Sequence, residues 1–215
     1  MKILTGLVTF NPDIDRLQEN LSAIVSQDTD ILIFDNGSKN FNEIENLASS
    51  LNCKTLAVKK NRGIAYGLKV IMDYAMENDY EWVLSLDQDS VISKKLINKY
   101  KAYAEDIRIG AITCYIIDRN FEESADQIFR KGEDEIKQVK KCITSGCFMR
   151  VAAYAATDGY DVSMFIDYVD FDICYALLRA GYQIIKIPFE GLLHEDGHGT
   201  NVSFFGRKCI MYHKS

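Results

Sequence analysis

Proline and histidine are scarce in this chain: 215 residues hold two prolines and three histidines. That little proline, with 13 glycines and no periodic Gly, excludes collagen-like, mucin-like and low-complexity sequence. No run of 18 apolar residues occurs, so no segment has the length of a transmembrane helix. Met1-Lys2-Ile3-Leu4-Thr5 enters a strand-like pattern at once and lacks a signal-peptide cleavage pattern. Basic residues are outnumbered, 25 Lys+Arg against 31 Asp+Glu, and a net charge of −6 argues against a nucleic-acid partner. Cys53, Cys114, Cys142, Cys147, Cys174 and Cys209 form no Cys-x-x-Cys pair. They are expected as buried thiols of a reducing compartment, not as a zinc site. There is no Gly-x-Gly-x-x-Gly after the first strand, no Gly-x-x-x-x-Gly-Lys loop and no Gly-x-Ser-x-Gly elbow. Dinucleotide-binding proteins, P-loop NTPases and α/β-hydrolases are thereby disfavoured. What is present is ordinary globular composition, 47% hydrophobic and 26% charged, long enough for one compact domain or two joined halves. A soluble intracellular enzyme is the class these numbers leave.

Periodicity supplies the elements. Ile3 to Phe10 has the pattern of a buried strand, and Asn11-Pro12 is expected to cap a helix carrying Ile14, Leu17, Leu21, Ile24 and Val25. Asp30 to Phe34 is a second strand, stopped by the turn cluster Asp35-Asn36-Gly37-Ser38. A helix over Phe41 to Leu51, a strand at Thr55 to Val58 and the breaker Asn61-Arg62-Gly63 follow. Then come a helix carrying Ile64, Leu68, Ile71, Met72 and Ala75, and a strand at Trp82 to Leu86 ending in Asp87-Gln88-Asp89-Ser90. Ser93 is expected to cap a helix carrying Leu96, Ile97, Tyr100 and Ala104, before a strand at Ile109 to Ile117.

Strand and helix thus alternate four times. That predicts an α/β fold with a mostly parallel, doubly wound sheet whose carboxyl ends share one rim. Each polar cluster follows a strand directly, and ligands of such sheets bind outside the strands' carboxyl ends. Beyond residue 118 the rhythm breaks. Glu122 to Lys141 has the charge of a surface excursion, and Cys142 to Val151 is expected as a strand containing Gly146. Val169 to Ala180 is expected as a helix stopped by Gly181, and Gln183 to Pro188 as a last strand.

Three groups could carry chemistry. Asp87 and Asp89, at i and i+2 after an apolar strand, point the same way in extended backbone. Such a pair suits Mg²⁺ or Mn²⁺ held jointly with a diphosphate, or simply caps the next turn. Asp167, Asp170 and Asp172 stand among Phe165, Ile166, Tyr168, Val169 and Phe171. Apolar flanks are a costly place for carboxylates unless they are paired, liganded or catalytic. Asp167 and Asp170 share a face if both are helical, and acids favoured by a helix N-terminus are the plainer account. His194, in His194-Glu195-Asp196-Gly197-His198-Gly199, could add a nitrogen ligand to a metal held by Asp89. His198 is more plausibly a loop residue without a role. Ser145-Gly146 has the look of a packing site.

In order and spacing these motifs resemble glycosyltransferase family 2, with its GT-A fold, and most closely the rhamnosyltransferase-like branch. The matching pieces are Val8-Thr9-Phe10-Asn11, Asp35-Asn36-Gly37-Ser38, Asn61-Arg62-Gly63-Ile64-Ala65 and Leu86-Asp87-Gln88-Asp89-Ser90. They continue with Thr144-Ser145-Gly146, Phe165-Ile166-Asp167-Tyr168-Val169-Asp170, Arg179-Ala180-Gly181-Tyr182 and His194. The resemblance implies one catalytic domain, with residues 1–118 a nucleotide-binding half and 119–215 an acceptor-binding half. It implies Thr9, Phe10, Asn11, Asp35, Asn36, Asn61, Gly63 and Asp87 as nucleotide contacts. It assigns Asp87, Asp89 and His194 to Mg²⁺ or Mn²⁺, Asp170 to the general base, and Asp167, Ser145 and Gly146 to the acceptor side. Relatives often carry Glu-Asp where this chain has Val169-Asp170, so Asp167 is the acid expected to compensate.

The implied activity is inverting, metal-dependent transfer of a sugar, rhamnose from dTDP-rhamnose foremost. UDP- and GDP-sugars remain open as donors. The implied acceptor is a saccharide or lipid-linked saccharide of surface polysaccharide synthesis, and the implied place the cytoplasm, in peripheral contact with the inner face of the membrane. Members of the branch usually continue past the His194 region, so a C-terminally truncated piece is expected. Two rivals stay open: a sugar nucleotidyltransferase and a non-catalytic sugar-nucleotide-binding module. The first lacks its usual Gly-rich basic loop at Thr9-Phe10-Asn11-Pro12. The second does not account for intact acids at 87, 89 and 170.

Overall fold

The computed structural model describes residues 1–118 and 135–194, and the backbone of 199–204 and 207–212. Most of the expected excursion at 122–141, together with Glu195 to His198, lies outside these residues. The expected alternation is present: β1 (Ile3–Thr9), α1 (Ile14–Val25), β2 (Asp30–Asp35), α2 (Phe41–Ser50), β3 (Lys54–Ala57), α3 (Ile64–Glu77) and β4 (Trp82–Asp87). Then follow β5 (Val91–Ile92), α4 (Leu96–Lys101), β6 (Ile109–Asp118), β7 (Lys137–Val139), β8 (Cys147–Arg150), α5 (Val151–Ala155), α6 (Val169–Arg179) and β9 (Gln183–His194). A separate antiparallel pair, β10 (Gly199–Phe204) and β11 (Arg207–Tyr212), completes the described chain.

Alternate residues of the strands feed two cores. Leu4 and Val8 of β1 face Leu68 and Ile71 of α3, Ala153 of α5 and Ile173 and Leu177 of α6. Ile3 and Leu7 face Leu17 and Leu21 of α1, Ile44 of α2 and Ile97 and Tyr100 of α4. This period-two division places three helices on each face of one sheet.

The sheet is mixed, with six of its nine strands running one way. Its order is β3-β2-β1-β4-β8-β6-β9-β5, with β7 added on β9. β1 to β4, β6 and β9 run one way; β8 is antiparallel to both β4 and β6, and β5 and β7 are antiparallel to β9. β8 enters here because Cys147, Phe148 and Met149 are all buried. Phe148 stacks on Trp82 at 4.7 Å and on Tyr100 at 5.4 Å between ring centroids, an aromatic column that only a strand beside β4 can complete. The boundary at 118 ends β6, which lies between β8 and β9, so one continuous sheet runs through both expected halves.

Several local expectations shift. Asp13, not Asn11, caps α1, accepting from Arg16 N. α4 starts after Lys95, two residues beyond the expected start, with the Ser93 carbonyl accepting from Leu96 N. Gly146 precedes β8 instead of lying inside it. β9 runs on to His194 through β-bulges opposite Thr113 to Ile116, which accommodate Pro188 within a strand. Gly181 follows α6 as foreseen, with φ +89°, a backbone that a side chain disfavours.

Candidate active site

The parallel strands end level with one another. Thr9 pairs with Asp35, Val8 with Asp87, and Asp35 with Ala57. The chain steps outward from β1 to β2 and β3 on one side and to β4 on the other, so a crevice opens between the ends of β1 and β4. Phe10 N donates across it to Gln88 Oε1 at 2.8 Å. A cleft of about 340 Å³ lies there, lined by Thr9, Phe10, Asn36, Asn61, Gly63 and Ile64, by Phe165 and Ile166 beside Gly63, and by Asp87, Gln88, Asp89 and His194. A larger hollow of about 510 Å³ lies by the opposite strand ends, beside Thr29, Asp30 and Tyr80. There the Tyr80 hydroxyl already donates to Asp30.

One side of the cleft is held by side chains that bond backbone. Asp35 is buried, and its carboxylate accepts from Thr9 Oγ1, Gly37 N, Ser38 N and Ser38 Oγ. Four donors fill a carboxylate's capacity, so Asp35 shapes its own turn and leaves the cleft surface to its neighbour. The Asp-Asn-Gly-Ser order already carried the signal, since an aspartate that bonds backbone two residues on is a turn device. Asn36 accepts from Arg62 N at 2.9 Å and donates to the Gly63 carbonyl at 3.0 Å, tying the Asn61-Arg62-Gly63 loop to the end of β2. Asn61 accepts from Gly63 N. Asn11 bonds Ser38 and Lys39 and is not among the cleft-lining residues.

Gly63 has φ +87° and ψ 165°, a region essentially reserved for glycine. A Cβ there would stand 2.5 Å from the Phe165 carbonyl oxygen, which accepts from Ile64 N. Gly63→Ala is therefore expected to cost about 1–3 kcal/mol of stability in denaturant unfolding and to push the Phe165–Ile166 wall inward. A variant as stable as the native chain contradicts this contact.

The other side gathers the acids. Asp87 ends β4, and Gln88 and Asp89 form a turn rather than continuing the strand, so the same-side argument from extended backbone does not apply. The turn leads into β5, which pairs with Leu192 and Leu193 and so brings His194 over the turn. His194 Nδ1 lies 2.9 Å from Ser90 Oγ and 3.8 Å from Asp87 Oδ2. Ser90 Oγ meets Ser145 Oγ at 2.8 Å, and Ser145 Oγ accepts from Asp87 N. Asn20, fully buried on α1, donates to the Asp87 carbonyl at 2.8 Å.

About 37% of the Asp87 side chain reaches solvent through the cleft mouth, yet protein surrounds it on every other side. Burial pushes its carboxyl up to about 6; the charges of Asp89 and Asp170 push the same way and His194 opposes them. Asp170, in the first turn of α6, is thus electrostatically within reach of Asp87 although β4 and α6 are far apart in sequence.

Two placements differ from the linear reading. Ser145 and Gly146 are buried behind the Asp87–Ser90 turn, where the Gly146 carbonyl accepts from Tyr100. Asp167 precedes α6 in left-handed backbone at φ 66°, so it shares no helix face with Asp170. Gln88, Ser90, Asn20 and the Phe165–Ile166 wall were missed. Only the wall had a local signal, the aromatics crowding around the acids.

Among the described residues no three His, Cys, Asp or Glu side chains converge into a metal cage. The acids still fit a divalent ion of another kind. Mg²⁺ shared with a diphosphate takes one or two carboxylates from the protein, and the mutual repulsion recorded at Asp87 is what a cation there would relieve.

Comparison with known proteins matches the structure. The chain is 25% identical over 206 residues to "dTDP-rhamnosyl transferase RfbF" of Shigella flexneri, covering 91% of this chain and 69% of that one. Its fold matches S. aureus TarS with a TM-score of 0.69 at 16% identity, over 92% of this chain and 37% of that chain. The structure of TarS 1-349 in complex with UDP matches equally well, with 61% of that chain covered. GalNAc-T7 with UDP, GalNAc and Mn²⁺ matches with a TM-score of 0.68 at 13% identity, over 91% and 44% of the two chains. The chain thus spans less than two thirds of these solved structures, and the likeness establishes a GT-A type α/β fold. The family model "Glycosyl transferase family 2" matches residues 6–158, most of the chain: the protein belongs to glycosyltransferase family 2.

Proposed function

We propose that the protein transfers a sugar from a nucleoside diphosphate donor, dTDP-rhamnose foremost, to a hydroxyl of a saccharide or lipid-linked saccharide, with inversion at the anomeric carbon. The observation that carries this reading is the meeting of Asp87, Asp89 and His194 in one cleft of about 340 Å³, with Asp170 on α6 near enough for its charge to act on Asp87. RfbF, by name a dTDP-rhamnosyl transferase, supports the donor choice.

Thr9, Phe10, Asn36, Asn61 and Gly63 form the wall against which the nucleoside packs. Asp89, His194 and Asp87 are the groups that would hold Mg²⁺ or Mn²⁺ with the diphosphate. Such an ion, when bound, neutralises charge growing on the leaving phosphate. Ser90 orients the His194 ring and Asn20 anchors the Asp87 backbone, so the acids keep their places before the donor arrives. Asp170 takes the proton from the acceptor hydroxyl as its oxygen bonds to the anomeric carbon. The bond from that carbon to the phosphate oxygen breaks, and the nucleoside diphosphate leaves with the electron pair. Attack opposite the leaving group inverts the centre. Among the described residues no helix is long and apolar enough to cross a membrane, so a lipid-linked acceptor is met from the protein's surface.

A thermal-shift screen of dTDP-, UDP- and GDP-sugars, with and without Mn²⁺, tests the reading. Stabilisation by one diphosphate-sugar that requires metal is expected. A preference for nucleoside triphosphates favours a nucleotidyltransferase instead, and a metal-blind response favours a binding module.

A further inference from the structure

Between the cleft wall at Phe165–Ile166 and Asp170, the chain passes through two consecutive non-glycine residues in left-handed backbone, Asp167 at φ 66° and Tyr168 at φ 59°. A bulky aromatic residue in that conformation costs free energy, and strain of this kind persists where it serves a site. The cost is not recovered by burying the ring, since Tyr168 is 71% exposed. Its ring meets only the edge of Phe171 among the described aromatic pairs, at 6.1 Å between centroids. The backbone around it is tied down at both ends: the Phe165 carbonyl accepts from Ile64 N, and the Tyr168 carbonyl accepts from Asp172 N in the first turn of α6. The fold thus holds an aromatic face in solvent at the N-terminal end of α6, two residues before Asp170.

We propose that the Tyr168 ring is the platform on which a pyranose ring of the acceptor stacks, its apolar C–H face on the aromatic face, so that one hydroxyl is presented to Asp170. This rests on the transferase reading and names the acceptor chemistry of the same site. A sugar ring carries hydroxyls at its edge and C–H groups on its faces, and an exposed tyrosine offers a matching apolar body with a polar tip. Stacking leaves the rim hydroxyls outward, where a neighbouring carboxylate can reach one of them.

The test uses the full chain with dTDP and Mn²⁺, and the methyl glycosides of rhamnose, glucose and N-acetylglucosamine as probes. Saturation-transfer NMR reads contact with each sugar's ring protons, and thermal unfolding is measured beside it. In the native protein at least one glycoside is expected to receive saturation on its ring C–H protons. Tyr168→Phe keeps that signal, and Tyr168→Gly lowers it at least fivefold while the dTDP signal is unchanged. Because glycine accepts left-handed backbone, Tyr168→Gly is expected to melt no lower than the native chain. No contact with any glycoside overturns the proposal, as does a Tyr168→Gly signal equal to native. A fall in melting temperature with the signal makes the ring a structural prop, and an equal loss of the dTDP signal makes it a donor contact; each overturns the proposal. So does Tyr168-dependent sedimentation with phosphatidylglycerol vesicles without sugar contact, which makes the face a lipid surface. Where dTDP does not bind, UDP or GDP takes its place in the test; if none of the three binds the native protein with Mn²⁺, the transferase reading itself fails and takes this proposal with it.

Discussion

Asp170→Asn is expected to lower sugar transfer by about 10²–10⁴-fold while leaving nucleotide binding intact, the range by which positioned general bases contribute. The substitution preserves shape. Asp170 Oδ1 accepts from Phe171 N, and an amide oxygen can take over that bond. What the amide cannot do is accept the acceptor's proton as its oxygen attacks. The loss of a negative charge in the first turn of α6 removes a favourable interaction with the helix dipole, about 0.3–1 kcal/mol, too little to unfold the chain. The Asp87 carboxyl loses one of the charges that push its proton affinity up. Transfer rate and nucleotide titration should therefore separate sharply. Near-normal transfer by this variant would remove Asp170 from the role of base.

Asp89→Ala is expected to abolish the metal-dependent part of donor binding. A group that merely supports a metal ligand is typically worth 10–100-fold in affinity, so loss of a ligand itself should cost at least about 100-fold. At a nucleotide concentration of about 100 times the native dissociation constant, that removes about 2.3 of the roughly 2.7 kcal/mol of ligand stabilisation. For a chain of this size the lost shift in melting temperature is about 5–10 °C. The variant itself should fold, because Asp89 stands in a turn at the cleft rim and its removal lessens the repulsion on Asp87. The readout is the difference between melting curves with and without Mn²⁺ at fixed nucleotide. A difference that survives the substitution means that the ion, if bound, is held elsewhere.

Much of this site was legible before any coordinates. Polar clusters directly after apolar strands announced a rim, because a parallel sheet collects its carboxyl ends on one edge. Thr9, Phe10, Asn36, Asn61, Gly63, Asp87, Asp89 and His194 do line one cleft. Two residues show what a linear pattern leaves open. Asp35 and Ser145 are polar residues at strand ends or inside apolar stretches, and a linear pattern cannot say whether such a group faces a ligand or the protein's own backbone. Here both face the protein itself, Asp35 accepting from two backbone amides and two hydroxyls and Ser145 accepting from Asp87 N. Asp167 is a different case. It shares a face with Asp170 only if both are helical, and left-handed backbone at Asp167 and Tyr168 leaves it outside α6, which starts at Val169 as expected.

By itself the sequence determined the alternation of strands and helices, the faces each buries, and the residue types at the rim. Those follow from period-two and 3.6-residue patterns and from turn chemistry, all local. Only the tertiary structure decided that β8 runs antiparallel between β4 and β6, that β5 folds back on β9, and that His194 stands over Ser90 and Asp87. Strand partners and register depend on which buried surfaces fit together across long separations. The stacking of Phe148 between Trp82 and Tyr100, and the bulges that lengthen β9, are properties of that fit.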